Sequence, residues 1–482
     1  MTDPVLIAGS TCWRIARADR FACIIDAADY FRHVKAAMLR AQHRIVLIGW
    51  DLDARTTFER EDKRLPGPNQ LGAFLYWLLW KRPTLQIYLL KSNLRLLPAF
   101  DGIWYGLTPV AFVNQFTSKR MHFAIDGARP TGAVHHQKIA VVDDAVAFCG
   151  GIDLSLDRWD TRAHTHDSGA RRTFGFGYGP RHEVAAAVDG DAARAIGEQA
   201  RQRWETATGQ SLAPVDAKHA AWPSRLVPAL RDVSVAVSRT LPELADRDEV
   251  REVEALNLAA IAAARRTIYL ENQYLAARRI VDALAARLAE ADGPEIVIVL
   301  PRRGSNRLER ETMDGARHRL IQVLWDADAH RRLGIYYPVT DGGTPIYVHS
   351  KVMAVDDRLL RIGSSNLNNR SMGFDSECDI AIEAESEGSD QVRREITCVR
   401  DELVSEHLGV SVDAFQRELQ RKGSLLVTVE ALRGDGKTVL PFTEKTIAGE
   451  ASPLAENDLM DPDHVPRSLT RIVQRFITGL TR

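Results

Sequence analysis

The chain contains Val348-His349-Ser350-Lys351-Val352-Met353-Ala354-Val355-Asp356, followed by Gly363-Ser364-Ser365-Asn366. In the other half, Val134-His135-His136-Gln137-Lys138-Ile139-Ala140-Val141-Val142-Asp143 leads to Gly150-Gly151 with the same spacing. Both copies read His-x-Lys-x4-Asp-x6-Gly. Val352 to Val355 and Leu359-Leu360 read as the two strands of a hairpin, with Asp356-Asp357 in the turn. Side chains two apart on a strand share a face, so His349 and Lys351 point together while Asp356 belongs to the turn. Closing the hairpin returns Gly363 to Asn366 alongside them, putting an imidazole, an ammonium and a carboxamide next to small residues. That is a phosphate-sized site: the cation and neutral donors stabilise phosphoryl oxygens, and imidazole can attack or donate a proton near neutrality. The first copy supplies His136 and Lys138, with Asp153 where Asn366 stands in the second.

Working outward, the order of elements also repeats. A helix over Asp26 to Gln42 leads into the apolar strand Arg44 to Asp51; a helix over Leu71 to Leu79 precedes the strand Leu85 to Leu90. Later, a helix over Glu249 to Arg265 leads into Arg266 to Gln273, and a helix over Ile280 to Ala291 precedes Glu295 to Leu300. Helical spacing over Arg307 to Ala327 then leads to the second motif. Ile45 lies 91 positions before His136, and Ile268 lies 81 before His349. A βαβ-rich unit is used twice. Glu183 and Glu377 each open a later strand, in mirrored positions. Pro214 to Pro223 reads as the junction between repeats. Beyond about Gly434 the chain becomes polar and acidic and reads as a tail wrapping the body, with a short amphipathic helix at Arg467 to Ile477.

At 482 residues, 45% hydrophobic and 26% charged, the chain has the length and balance for two globular domains. Its 63 basic and 64 acidic residues leave a net charge of −1, so no global basic field points to nucleic acid. The five cysteines are scattered without CxxC spacing and read as buried free thiols. No signal-peptide h-region or membrane span is visible, so the expected location is cytoplasmic, with peripheral membrane contact at most. Leu96 to Phe116, rich in aromatics, reads as packing under the first motif, with a lip dipping into a bilayer as the alternative. Arg302, Arg303, Arg307 and Arg310 read as a solvated helix face. His164 and His166, near Asp160 and Asp167, lack further ligands at metal spacing and read as a polar loop.

The two motifs, with Gly150-Gly151-Ile152-Asp153-Leu154, Arg158-Trp159-Asp160, Ile268 to Tyr274, Gly363 to Ser371 and Asp375-Ser376-Glu377, resemble the phospholipase D superfamily. The likeness is to its soluble, lipid-acting branch and runs from Trp13 to about Leu432. It implies an α/β fold of two α/β/α sandwich repeats related by a pseudo-twofold axis, at 1–215 and 216–432, with a tail at 433–482. It implies metal-independent, cofactor-free displacement at phosphorus through a phosphohistidine. His136 is then the nucleophile and His349 the general acid and base, with Lys138, Lys351 and Asn366 on the phosphoryl oxygens. Since the two imidazoles need opposite protonation states, each needs an orienting partner: Glu377 for His349 and Glu183 for His136, from their mirrored positions. Asp143, Asp356, Gly150, Gly151, Asp153, Gly363 and Ser364 are expected to be structural. Pro180-Arg181-His182-Glu183 departs from relatives that often show a tryptophan and an aspartate there. The implied partners are a phospholipid and an acceptor water or alcohol, with transient membrane-surface contact and a single chain as the active unit. A nuclease or nucleic-acid end-processing phosphodiesterase using the same histidines is the alternative.

Overall fold

The computed structural model describes residues 3–92, 104–105, 108–109, 118–217, 219–304, 314–384, 389–447 and 461–462. Most of Leu96 to Phe116, together with Arg307, Arg310 and the expected helix at Arg467 to Ile477, lies outside these residues.

In the first half the strands are β1 (Arg14–Ile25), β2 (Arg44–Gly49), β3 (Gln86–Ser92), β4 (Met121–Asp126), β5 (Ile139–Val142), β6 (Val146–Gly150) and β7 (Val184–Asp189). In the second they are β8 (Leu230–Leu241), β9 (Thr267–Glu271), β10 (Glu295–Val299), β11 (Leu333–Val339), β12 (Val352–Val355), β13 (Leu359–Gly363), β14 (Glu377–Glu383) and β15 (Thr438–Pro441). They form one sheet in the order β15-β11-β10-β9-β12-β13-β14-β8-β1-β7-β6-β5-β2-β3-β4. Outward from the antiparallel β1–β8 pair, both directions run through the same series: a strand after the motif hairpin, the hairpin itself, then three mutually parallel strands.

Strand parity makes three layers. On β2, Ile45 and Leu47 face the helices α1 (Ala27–Met38) and α2 (Leu71–Lys81), while Val46 and Ile48 face the other way. On β12, Met353 and Val355 pack toward α4 (Glu252–Ala263), α5 (Arg278–Ala289) and α6 (Gly315–Ala327). The opposite face carries α3 (Gly190–Thr208) and α7 (Asp390–Leu408) over one core shared by both halves. α1 shows the cause locally: Tyr30, Phe31, Val34, Ala37 and Met38 recur at helical spacing and all are buried.

Two expectations change. Thr438–Pro441, assigned to the tail, is an antiparallel edge strand on β11, because Val439 completes the shared core. Another piece of the expected tail, Asp461, accepts the backbone N–H groups of Asn369 and Arg370 at 3.0 and 2.9 Å. Second, the motif strands begin one residue after each lysine, at Ile139 and Val352, so the histidines and lysines stand at the mouths of the hairpins.

Candidate active site

The hairpin turns are tied down by their aspartates. Asp143 accepts the backbone N–H groups of Gln42, His43 and Arg44 at 2.7, 2.9 and 2.5 Å. Asp356 accepts those of Arg265, Arg266 and Thr267 at 2.9, 2.8 and 2.7 Å. Each carboxylate thus fastens the turn to the start of β2 or β9 and takes no part in the site. At the other end, Ser364 and Ser365 donate their N–H groups to Asp379 at 2.9 and 3.1 Å, which sets the return loop. A side chain at Gly151 would come within 3.0 Å of the His349 carbonyl; glycine allows the two repeats to approach here.

Two short parallel ladders cross between the repeats. Arg181-His182 pairs with Tyr347-Val348, and the His349 N–H continues the ladder to the His182 carbonyl at 2.8 Å. His135 bridges Ser376, and the His136 N–H reaches the Ser376 carbonyl at 2.9 Å. Each catalytic-candidate histidine therefore lies beside the chain leading into the other repeat's glutamate. The expected carboxylate pairing is reversed: His136 Nδ1 lies 3.1 Å from Glu377 Oε1, and His349 Nδ1 lies 2.7 Å from Glu183 Oε1. Mirrored position identified the right carboxylates but assumed that each partner came from its own repeat.

The surroundings of the two pairs differ. Glu377 accepts the hydroxyls of Ser364 and Ser371 at 2.5 and 2.6 Å. Burial pushes its carboxyl up to about 8, with the two serine hydroxyls opposing the rise. Glu183 instead faces the guanidiniums of Arg158 and Arg181, each 3.6 Å away. Burial raises its pKa too, against the pull of Arg158, Arg181 and Lys351. The lysines also differ. Lys138 Nζ lies 3.2 Å from the Asp153 carboxylate, whereas Lys351 Nζ donates to the neutral Gln273 Oε1 at 3.2 Å. Burial, then the nearby Lys138, holds Lys351 well below the usual ammonium range. Burial first and then these cations also push His136 and His349 well below the ordinary imidazole value.

Asn366 Oδ1 is buried with no hydrogen-bond partner among the described residues, while its N–H donates to Ser371 Oγ at 3.1 Å. With each Nδ1 facing a carboxylate, the chemistry falls to Nε2 of both histidines. The structure brings His136, Lys138, His349, Lys351, Asn366, Glu183 and Glu377 into one inter-repeat site. It leaves Asp143 and Asp356 at the far turns. Ser371, Arg158, Arg181 and Gln273 had no assigned role in the sequence reading; only the fold shows what they touch. Trp50 and Tyr347 flank the imidazoles of His136 and His349, with ring centroids 6.5 and 6.3 Å away. His135 is not part of the chemistry: it is buried against Asp126 and Ser376, and burial pushes it down to about 3.

The polar-loop reading of His164 is also overturned. It is fully buried, its Nδ1 lying 3.0 Å from Asp160 Oδ2, because carboxylates from both repeats converge on it. His166 stays half-buried beside Thr340 and Thr344.

Comparison with known proteins fits this arrangement. Residues 258–398 match a family described as cardiolipin synthase, phospholipase D-like domain. Phospholipase D1 of Schizosaccharomyces pombe is 24% identical over 86% of this chain and 38% of its own length. Phospholipase D alpha 4 of Arabidopsis thaliana is 23% identical over 85% of this chain and 66% of its own. The chain thus spans less than two thirds of either relative. In three dimensions, the phosphatidylserine synthase of Haemophilus influenzae superposes with a TM-score of 0.52 at 13% identity, over 86% of this chain and 96% of that one, a likeness of fold. With its two histidine-lysine hairpins meeting across a shared sheet, this chain is similar to phospholipase D-like proteins in sequence and fold.

Proposed function

We propose that the chain is a phosphodiesterase of the phospholipase D type, which cleaves or exchanges phospholipid headgroups through a phosphohistidine. The repeats 1–215 and 216–432 each supply one histidine, one lysine and one carboxylate. The observation that supports this most directly is the crossed pairing of His136 with Glu377 and His349 with Glu183 around Lys138 and Lys351.

His136 Nε2, neutral because burial and the lysines disfavour its charged form, attacks phosphorus. The bond from phosphorus to the headgroup oxygen breaks, and His349 Nε2–H protonates that oxygen. An anionic phosphodiester among the lysines offsets the cations that repel a proton from His349, so the substrate itself helps charge the acid. His349 then takes a proton from water or an alcohol, whose oxygen displaces His136. Water yields phosphatidic acid; an alcohol yields the exchanged lipid. Lys138, Lys351 and Asn366 hold the phosphoryl oxygens as charge builds on them.

The test is incubation of wild type and His136→Ala with phosphatidylcholine and phosphatidylglycerol vesicles and a primary alcohol. Phosphatidyl alcohol from wild type alone is the expected result. If neither lipid reacts while single-stranded DNA is cleaved, the substrate assignment falls and the nuclease reading replaces it.

A further inference from the structure

Behind the His349 half lies a second polar cluster that this chemistry does not use. Asp26 precedes α1, His164 stands in the loop after the first motif, His182 lies in the crossing ladder and Glu406 on α7. Their exposures are 1%, 0%, 0% and 8%. One atom of each turns toward a common centre. His164 Nε2 lies 3.2 Å from Glu406 Oε1 and 3.3 Å from Asp26 Oδ2. His182 Nδ1 lies 3.0 Å from the same Glu406 oxygen, and one ligand atom from each of the four residues lies within 4.8 Å of the others.

The three shorter separations match the edges of a tetrahedron around a small dication, about 3.3 Å when metal–ligand bonds are about 2.0 Å. Each residue also has its other polar atom committed outside the centre. His164 Nδ1 meets Asp160 at 3.0 Å, and Asp160 meets Arg171 at 3.1 Å. His182 Nε2 meets Glu271 at 3.0 Å. Glu406 Oε2 receives Arg162 at 2.6 Å, and Asp26 Oδ1 accepts the Glu183 N–H at 3.0 Å. Two imidazoles with one nitrogen inward and the other on a carboxylate is how proteins orient histidines toward zinc. Asp26 Oδ2 provides an independent sign: it is buried and accepts no hydrogen bond among the described residues.

We propose that Asp26, His164, His182 and Glu406 form a closed, four-coordinate site for a divalent transition ion of the zinc type. Two neutral imidazoles and two carboxylates neutralise the dication, and with no open position the ion is structural rather than catalytic. It joins the first repeat to α7 of the second. It also fixes the His182 carbonyl, which receives the His349 N–H at 2.8 Å, and Asp26, which holds the Glu183 N–H.

The full chain is produced in zinc- or cobalt-supplemented medium, dialysed against metal-free buffer and analysed for metal content and visible absorption. About one equivalent per chain is expected, with intense d–d bands for the cobalt form. Glu406→Gln and Asp26→Asn, which keep side-chain size, are expected to lower bound metal about tenfold or more, and His164→Gln to do the same. Circular dichroism identifies the folded variants, and the near-isosteric pair decides the matter if His164→Gln does not fold. Wild type holding no metal from either medium would overturn the site; the imidazoles would then carry two protons in its place. Full metal retention by folded Glu406→Gln and Asp26→Asn would overturn it equally.

Discussion

The His136 half and the His349 half of the site are built from the same spacing but have different electrostatics. Beside His136, Glu377 is held by two neutral hydroxyls, and Lys138 has a carboxylate partner in Asp153. Beside His349, Glu183 faces two guanidiniums, and Lys351 donates to neutral acceptors, the Gln273 carboxamide and the His349 carbonyl. The second half is therefore the cation-rich one. A neutral imidazole tethered through Nδ1 suits the nucleophile. An imidazole among cations surrenders a proton readily once an anionic substrate has allowed it to bind one, which suits the acid.

The largest expected effect separates those roles. On a phospholipid, His136→Ala and His349→Ala should each lower kcat by on the order of 10⁴-fold or more. With an aryl phosphodiester, whose leaving group needs no proton, His349→Ala should still release one equivalent of phenol in a burst, and His136→Ala none. The opposite pattern would exchange the assignments. Next, Lys351→Met should lower kcat/KM by about 10²- to 10³-fold. It should also move the alkaline limb of the pH–rate profile upward, because a cation that lowers the His349 pKa has gone. An unmoved limb would mean that His349 is not the titrating acid.

Glu377→Gln and Glu183→Gln should each lower turnover by about 10- to 100-fold, as expected for groups that orient a histidine. Their stabilities should diverge. Glu183→Gln removes the charge that Arg158 and Arg181 face and should cost about 3 kcal/mol in a denaturant melt. Glu377→Gln should show its effect through pH. The unfolded chain releases this proton near the ordinary value of 4.5, and the folded chain keeps it to about 8. Between these values the folded state binds more protons, so this group's contribution to stability falls as pH rises, by up to about 1.4 kcal/mol per pH unit. Glu377→Gln should thus gain on wild type from pH 5 to pH 8; parallel melting curves would exclude the raised pKa. Asp143→Ala and Asp356→Ala should have the smallest effect on turnover, less than about threefold, while costing about 2 kcal/mol each through lost backbone hydrogen bonds. A larger loss in only one would show that the two turns are not equivalent supports.

Much of this was legible from local pattern. Period-two and period-3.6 hydrophobicity marks β2, β9 and α1, and the His-x-Lys spacing puts two polar groups at each hairpin mouth. The central strands β1 and β8 were missed because charged residues such as Arg17, Arg20 and Arg231 interrupt their apolar pattern, while their pairing partners lie far away in sequence. The tail strand β15 was missed because four residues carry too little periodicity to reveal an edge.

By itself, the sequence determined the two hairpins of matching spacing, the imidazole and ammonium at each hairpin mouth, and the turn position of Asp143 and Asp356, since these depend on spacing within a few residues. Only the tertiary structure decided which glutamate faces which histidine, which half is rich in cations, and that His164, on its loop, is buried in a polar cluster instead of solvated. Those outcomes depend on two parallel ladders and one shared sheet that join residues more than 150 positions apart, and no local period records such contacts.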